Sequence, residues 1–109
     1  MNPIKQMKVT ELKQKMDAGE KFRLIDCREQ DEYDFCKIEG AELIPLSQFP
    51  AKAPEALAKN EEIVIHCHHG GRSQRAAQYL SSLGYENVSN LAGGIDAWSL
   101  EVDSKVKRY

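Results

Sequence analysis

Cys67 opens the run Cys67-His68-His69-Gly70-Gly71-Arg72-Ser73, and the apolar stretch Ile63-Val64-Ile65 leads into it. A thiolate is a nucleophile, and glycines beside it let backbone N–H groups close around an anion. Beyond Arg72, Ala76, Leu80 and Leu83 fall at i, i+4 and i+7, the period of a helix from Ser73 to Leu83, which Gly84 ends. The segment from Cys67 to Arg72 is therefore a loop leading from a strand into a helix. Unpaired N–H groups and the positive end of the helix dipole at such a start favour negative charge. Cys67 is expected to ionise readily in this cradle. His68 and His69 are expected at its mouth, where protonated imidazoles attract anions, or simply in an exposed loop. Arg72 is expected either to bind an anionic substrate or to brace the loop. Ser73 completes the loop.

Two chemistries use a cradle of this kind. The cysteine attacks phosphorus, or it attacks a sulfane sulfur and carries it as a persulfide. Four residues separate Cys67 from Arg72, one fewer than the spacer that wraps a tetrahedral phosphoryl group. A single sulfur on Cys67 needs less room than three phosphoryl oxygens, so the spacing favours sulfur transfer.

The elements that must position this loop are legible in outline. Lys8-Val9-Thr10 reads as a strand, with Thr10 capping a helix whose inner face carries Leu12 and Met16 and which stops at Gly19. A second strand ends near Asp26, and Gln30 to Phe35 suits a short helix. Ala41 to Leu46 reads as a strand closed by Pro45. Leu46 to Lys59, with two prolines, holds short helical turns. Ile63 to Cys67 is a buried strand, Asn87 to Leu91 a last short one, and Gly93-Gly94 opens the final helix. Strands alternating with helices, with continuously apolar runs in the middle, predict an α/β fold with a parallel sheet covered on both faces. Ligands then sit outside the carboxyl ends of the strands, where Cys67 falls.

The sequence resembles the single-domain rhodanese-like sulfurtransferases, over nearly its whole length. Leu24-Ile25-Asp26-Cys27-Arg28-Glu29 with the later Glu32-Tyr33 is similar to one family segment, and Ile38 to Leu46 to another. Cys67 to Ser73 fits the C-x-x-G-x-R-S active loop, and Gly93 to Trp98 fits the closing G-G-x-x-A-W. The resemblance implies a rhodanese-like fold with a central five-stranded parallel sheet. It also implies ping-pong transfer through a Cys67 persulfide. Cys36-Lys37 stands where the family often has Gly-His, a departure that bears on substrate or partner contacts more than on the reaction.

Length and charge limit the alternatives. The chain has 109 residues, a net charge of -2 with both signs dispersed, and 41% hydrophobic residues. One domain spanning 1–109 is expected. The charge balance gives no support to nucleic-acid or anionic-membrane binding, and no apolar run is long enough for a bilayer. The N-terminal stretch lacks the apolar core of a signal peptide, so a cytoplasmic location is expected, with reduced cysteines. His66, Cys67, His68 and His69 alternate in direction, and no second ligand cluster at zinc-finger spacing accompanies them; no metal or other cofactor is expected.

Cys27 reads as a small buried residue. Cys36 reads as partly exposed and is the position open to a resolving or relay role. Asp26 and Arg28 should face the active loop, Asp26 accepting hydrogen bonds from it and Arg28 raising the positive potential; a surface ion pair is the alternative for both. Trp98 is expected as a core anchor, with Val102 and Val106 pinning the charged tail.

The expected partners are a small sulfur donor such as thiosulfate and a cyanide or thiol acceptor, and a sulfur-carrier or thioredoxin-like protein is a further candidate. Competing readings are a non-enzymatic interaction or regulatory domain of this fold, and a cysteine phosphatase or arsenate reductase.

Overall fold

A computed structural model describes residues 3–109. The elements run β1 (Lys5–Met7), α1 (Val9–Asp17), β2 (Arg23–Asp26), α2 (Gln30–Phe35) and β3 (Glu42–Leu43). A 3₁₀ turn (Leu46–Gln48) then leads into α3 (Phe49–Ala56), β4 (Ile63–His66), α4 (Gly71–Ser82), β5 (Val88–Leu91) and α5 (Gly94–Glu101). The five strands form one sheet in the order β1-β5-β4-β2-β3, and every pairing is parallel. This is an α/β fold with the central five-stranded parallel sheet that the resemblance implied.

The strand period of two sorts the core into halves. Ile25, Ile63 and Ile65 point to one face and pack with Phe49 and Ala53 of α3 and Ala76 and Leu80 of α4. Leu24, Val64 and Leu91 point to the other face and meet Val9 and Leu12 of α1 and Ile95 and Trp98 of α5. Val102 and Val106 pack against this second half, as expected of the tail. The central strand β4 is buried at all four positions, with neighbours on both edges.

Three element boundaries differ from the sequence reading. The first strand is Lys5–Met7 rather than Lys8–Thr10, because these residues align with Ser89, Asn90 and Leu91 of β5. Thr10 lies inside α1 and does not cap it; the Glu11 carboxylate instead accepts the Lys8 backbone N–H at 3.3 Å. The strand expected over 41–46 shortens to two residues. The ladder direction nonetheless continues through Ile44 N–H to the Asp26 carbonyl and Leu46 N–H to the Cys27 carbonyl, stepping over Pro45, which has no donor. Helix α4 begins at Gly71, two residues ahead of Ser73.

The close approach of α5 to the loop after β4 sets the site. Ile95 N–H donates to the Cys67 carbonyl at 2.9 Å and Asp96 N–H to the His68 carbonyl at 3.1 Å. Gly94, at φ +58°, makes this contact possible, since a Cβ there would stand 2.5 Å from both of those carbonyl oxygens. Backbone cannot retreat as a flexible side chain can. Gly94→Ala combines a left-handed penalty of about 1–2 kcal/mol with overpacking of about 1–3 kcal/mol. Urea unfolding should show a loss of about 2–5 kcal/mol, and an unchanged midpoint would refute the close-approach argument.

Candidate active site

Cys67 follows β4 and Cys27 follows β2, at the carboxyl ends of adjacent strands. The loop leaves the sheet at Cys67 and reverses at Gly70, whose φ of +118° is open to glycine and strained for other residues. That reversal aims the Gly70 N–H at the Cys67 sulfur, with N···Sγ 3.1 Å. Ser73, in the first turn of α4, brings its hydroxyl to 3.4 Å from the same sulfur. The hydroxyl also meets Asn90 Oδ1 at 2.5 Å, and Asn90 Nδ2 donates to Gln6 Oε1 at 2.9 Å. A hydroxyl carries one proton, so Ser73 serves either Asn90 or the sulfur at any moment.

Cys67 is only 2% exposed. Burial alone would push its thiol up. The hydrogen bond from the Cys27 thiol is the largest opposing influence. The Ser73 hydroxyl, the Ser73 backbone and the Gly70 N–H add to it, and together they bring Cys67 down to about 4. The Cys27 thiol moves the other way, raised by that same hydrogen bond and then by burial. One sulfur is thus held as thiolate and its neighbour as thiol. Within the loop and helix start, the Gly70 N–H and the Ser73 hydroxyl approach the sulfur, and the largest influence lowering its ionisation comes from Cys27, outside that segment.

The charged residues do not sit where the sequence reading put them. Asp26 accepts nothing from the active loop. Its carboxylate is taken up by Arg28, with Nε···Oδ1 2.9 Å and Nη2···Oδ2 2.7 Å, and by the Arg28 backbone N–H at 3.0 Å. Arg28 is 0% exposed, so the pair is buried rather than superficial. Its remaining donors reach the Cys36 carbonyl at 2.6 Å, the Glu32 carbonyl at 3.3 Å and the Tyr109 hydroxyl at 3.0 Å. Burial opposes its charge, and Asp26 and Tyr109 outweigh burial. All five N–H groups are engaged, which leaves Arg28 a brace and not a free source of positive potential.

Arg72 is held the same way from outside. Its guanidinium grips Glu32 of α2 through Nη1···Oε1 2.7 Å and Nη2···Oε2 2.8 Å. Glu32 also accepts the Tyr109 hydroxyl at 2.8 Å. Arg72, then Tyr109 and the Glu29 N–H, hold the Glu32 carboxyl at about 2 against burial. The Tyr109 ring stacks on His68, with centroids 4.1 Å apart and planes 10° off parallel. The His68 and His69 rings lie 4.0 Å apart between centroids, His69 largely exposed and His68 half-buried. Gly71 starts α4 with open space around its Cα. His66, one residue before Cys67, is fully buried beside Asp26, and burial lowers its imidazole.

Cys36 is buried rather than partly exposed. It packs on the second core half, with its sulfur 3.8 Å from Arg28 Nη1. Among the described residues, His68, His69 and Asp96 bring one potential metal-ligand atom each within 4.8 Å of one another. Asp96 is already paired with Arg108 at 3.0 Å.

A family model described as Rhodanese-like domain matches residues 8–101. The chain belongs to the rhodanese-like domain family. The crystal structure of a rhodanese-like domain protein from Staphylococcus aureus is similar to it, with TM-score 0.83 and 29% identity over 97% of this chain and 99% of that one. Among curated relatives, YtwF of Bacillus subtilis, whose full name includes "sulfurtransferase", is 37% identical over 94% of this chain and 97% of its own. Rhodanese-like/PpiC domain-containing protein 12, chloroplastic, of Arabidopsis thaliana is 36% identical over 98% of this chain, which spans 38% of that protein. The chain thus covers the whole of some rhodanese relatives and well under half of others.

Sequence reasoning missed Cys27 as the neighbour of Cys67, Glu32 as the partner of Arg72, and Tyr109 altogether. Glu32 carried a signal in the acidic first turn of a short helix before an aromatic. Tyr109 carried none.

Two outcomes follow from this geometry. Arg28→Ala leaves Asp26 as a buried charge without its partner, which costs about 3–5 kcal/mol. Urea unfolding should show that loss, and a variant of wild-type stability that only binds anions more weakly would restore the surface-potential reading. Cys67 should also alkylate at a rate that falls off only as pH drops through about 4, because protonation removes the nucleophile below that value. Peptide mapping should find Cys27 and Cys36 far slower at neutral pH. A Cys67 midpoint in the ordinary range near about 8.5 would show that the cradle does not hold a thiolate.

Proposed function

We propose that this protein is a sulfurtransferase that moves a sulfane sulfur from thiosulfate or a persulfide donor to a nucleophilic acceptor through a Cys67 persulfide. The observation that carries the reading is a buried thiolate ringed by the Gly70 N–H, Ser73 and the Cys27 thiol at the start of α4. The family supports it, as do relatives named as sulfurtransferases, among them Adenylyltransferase and sulfurtransferase UBA4 of Candida albicans.

The steps follow from the donors. The Cys67 thiolate attacks the outer sulfur of thiosulfate, the sulfur–sulfur bond breaks, and sulfite leaves with the electron pair. The N–H groups that held the thiolate stabilise the charge on the persulfide. Cyanide or a thiolate then attacks the outer sulfur and leaves with it, returning Cys67 to thiolate. The reaction as written uses no metal or prosthetic group. His68, His69, Gly70, Gly71, Arg72 and Ser73 form the loop in this reading, Asp26 and Arg28 support it, and residues 1–109 act as one domain. Arg72 acts by tying the start of α4 to Glu32. This engagement, together with the four-residue spacer, disfavours a phosphatase, whose arginine must be free to hold a phosphoryl group. A sulfur-carrier or thioredoxin-like acceptor and a cytoplasmic location complete the proposal.

The test is transfer from thiosulfate to cyanide together with intact mass. Wild type and Cys36→Ser should gain the mass of one sulfur from thiosulfate and form thiocyanate. Cys67→Ser should do neither while remaining folded by circular dichroism. Activity retained in Cys67→Ser would sink the assignment, and a folded wild type that never gains sulfur would favour a binding role for the fold.

A further inference from the structure

The sheet register places a second thiol against the first. Asp26 of β2 pairs with His66 of β4, and the Cys27 N–H continues the ladder to the His66 carbonyl at 3.0 Å. The next residue on each strand is a cysteine. In parallel strands, residues level with each other point to the same face. Cys27 and Cys67 accordingly share one half of the core, at 0% and 2% exposure. Each thiol also moves the other's ionisation, Cys67 downward and Cys27 upward. Neighbouring strands run about 4.8 Å apart, inside the span of about 4.4–6.8 Å between Cα atoms that a disulfide bridges. Cys36 belongs to the opposite half of the core and has no such approach.

The Cys27 position is fully buried, in the half of the core that holds Ile25, Ile65 and Phe49. A thiol beside Cys67 can do something that an aliphatic group cannot. Once Cys67 carries a second sulfur, its own Sγ becomes one end of a sulfur–sulfur bond and is open to thiolate attack.

We propose that Cys27 is a resolving thiol: it attacks Sγ of the Cys67 persulfide, forming a Cys27–Cys67 disulfide and releasing the outer sulfur as hydrosulfide. The bond that forms joins the two Sγ atoms, and the bond that breaks joins Cys67 Sγ to the outer sulfur. The outer sulfur takes the electron pair and the Cys27 proton. It is reduced to the sulfide level while the two thiols are oxidised to the disulfide, so no external oxidant enters. A dithiol reductant then restores both thiols for another cycle. This step rests on the persulfide reading of the site and adds to it a second outlet for the bound sulfur, sulfide release in the absence of an acceptor. Cys27 is held as a thiol, so the outlet is slow and an acceptor arriving promptly takes the sulfur first.

The experiment loads the fully reduced chain with thiosulfate under anaerobic conditions. Donor and sulfite are removed, and the dilute protein is followed by non-reducing intact mass and by a colorimetric sulfide assay. Wild type should lose the added sulfur and become two hydrogens lighter than the reduced chain. It should release one sulfide per chain and yield a Cys27–Cys67 cross-linked peptide. Cys27→Ser, loaded to completion and scored per chain that carries the sulfur, should keep that sulfur and release none even if it loads more slowly, with Cys27→Ala as a second variant should the serine fail to fold. Cys36→Ser should behave as wild type. A wild type that keeps its persulfide as long as Cys27→Ser, or a cross-link that joins Cys36, overturns the proposal while leaving the persulfide intact. If neither wild type nor Cys27→Ser ever gains a sulfur, the persulfide reading fails and the resolving step with it. Hydrogen peroxide tests the pair without a persulfide, since a Cys67 sulfenic acid should condense with Cys27 and release water. Failure to form that disulfide in wild type also overturns the proposal.

Discussion

A thiolate buried to 2% exposure is the constraint on which the arrangement of this protein depends. An anion removed from water must be met by donors at fixed positions, or it takes up a proton. Each donor here comes from a different part of the chain. Gly70 supplies an N–H because a left-handed residue turns the loop inward. Ser73 arrives with the first turn of α4, and Cys27 arrives because β2 pairs with β4. The parallel sheet, the tight loop and the helix start are thus parts of one electrostatic solution.

A second network holds those donors still. The buried Asp26–Arg28 pair joins the end of β2 to the Cys36 carbonyl and to Tyr109, and Tyr109 passes the connection to Glu32 and Arg72 at the start of α4. Burying a charge pair is costly, and full engagement of all five guanidinium donors offsets that cost. The return is positional: strand end, short helix, active-loop helix and tail are fastened together around the mouth. From the other side, the Cys67 and His68 carbonyls are latched by the N–H groups of Ile95 and Asp96 in α5. The loop is therefore gripped on both flanks, as preorganised chemistry requires.

The overlap between neutralised charges and the anion site changes how selectivity should be understood. Arg28, Arg72 and Arg108 all have carboxylate partners. The field at Cys67 therefore comes mainly from backbone N–H groups, hydroxyl and thiol, which cannot be screened by the movement of a mobile side chain.

Much of the protein was legible in one dimension because its signals are local. The Gln30–Phe35 helix, the buried strand before Cys67, the α4 period and the glycine pair before Trp98 all depend on residues within a few positions of one another. The cradle around Cys67 was legible for the same reason: a cysteine, two glycines and a helix start adjoin. The first strand was misplaced by three residues because its register is set by β5, more than eighty positions away. The burial of the Asp26–Arg28 pair was missed, and the two readings of Arg72 stayed open, because a charge's partner is decided by packing, and the partners Glu32 and Tyr109 lie elsewhere in the chain. Cys27 read as a small buried residue and Cys36 as a partly exposed one open to a relay role; both are buried. Strand pairing alone set Cys27 beside Cys67 and sent Cys36 to the opposite half of the core. The sequence by itself determined most of the elements and the loop that Cys67 opens, since these are properties of neighbouring residues. Only the tertiary structure decided which groups surround Cys67, because hydrogen bonds and buried charges are satisfied in space and not along the chain.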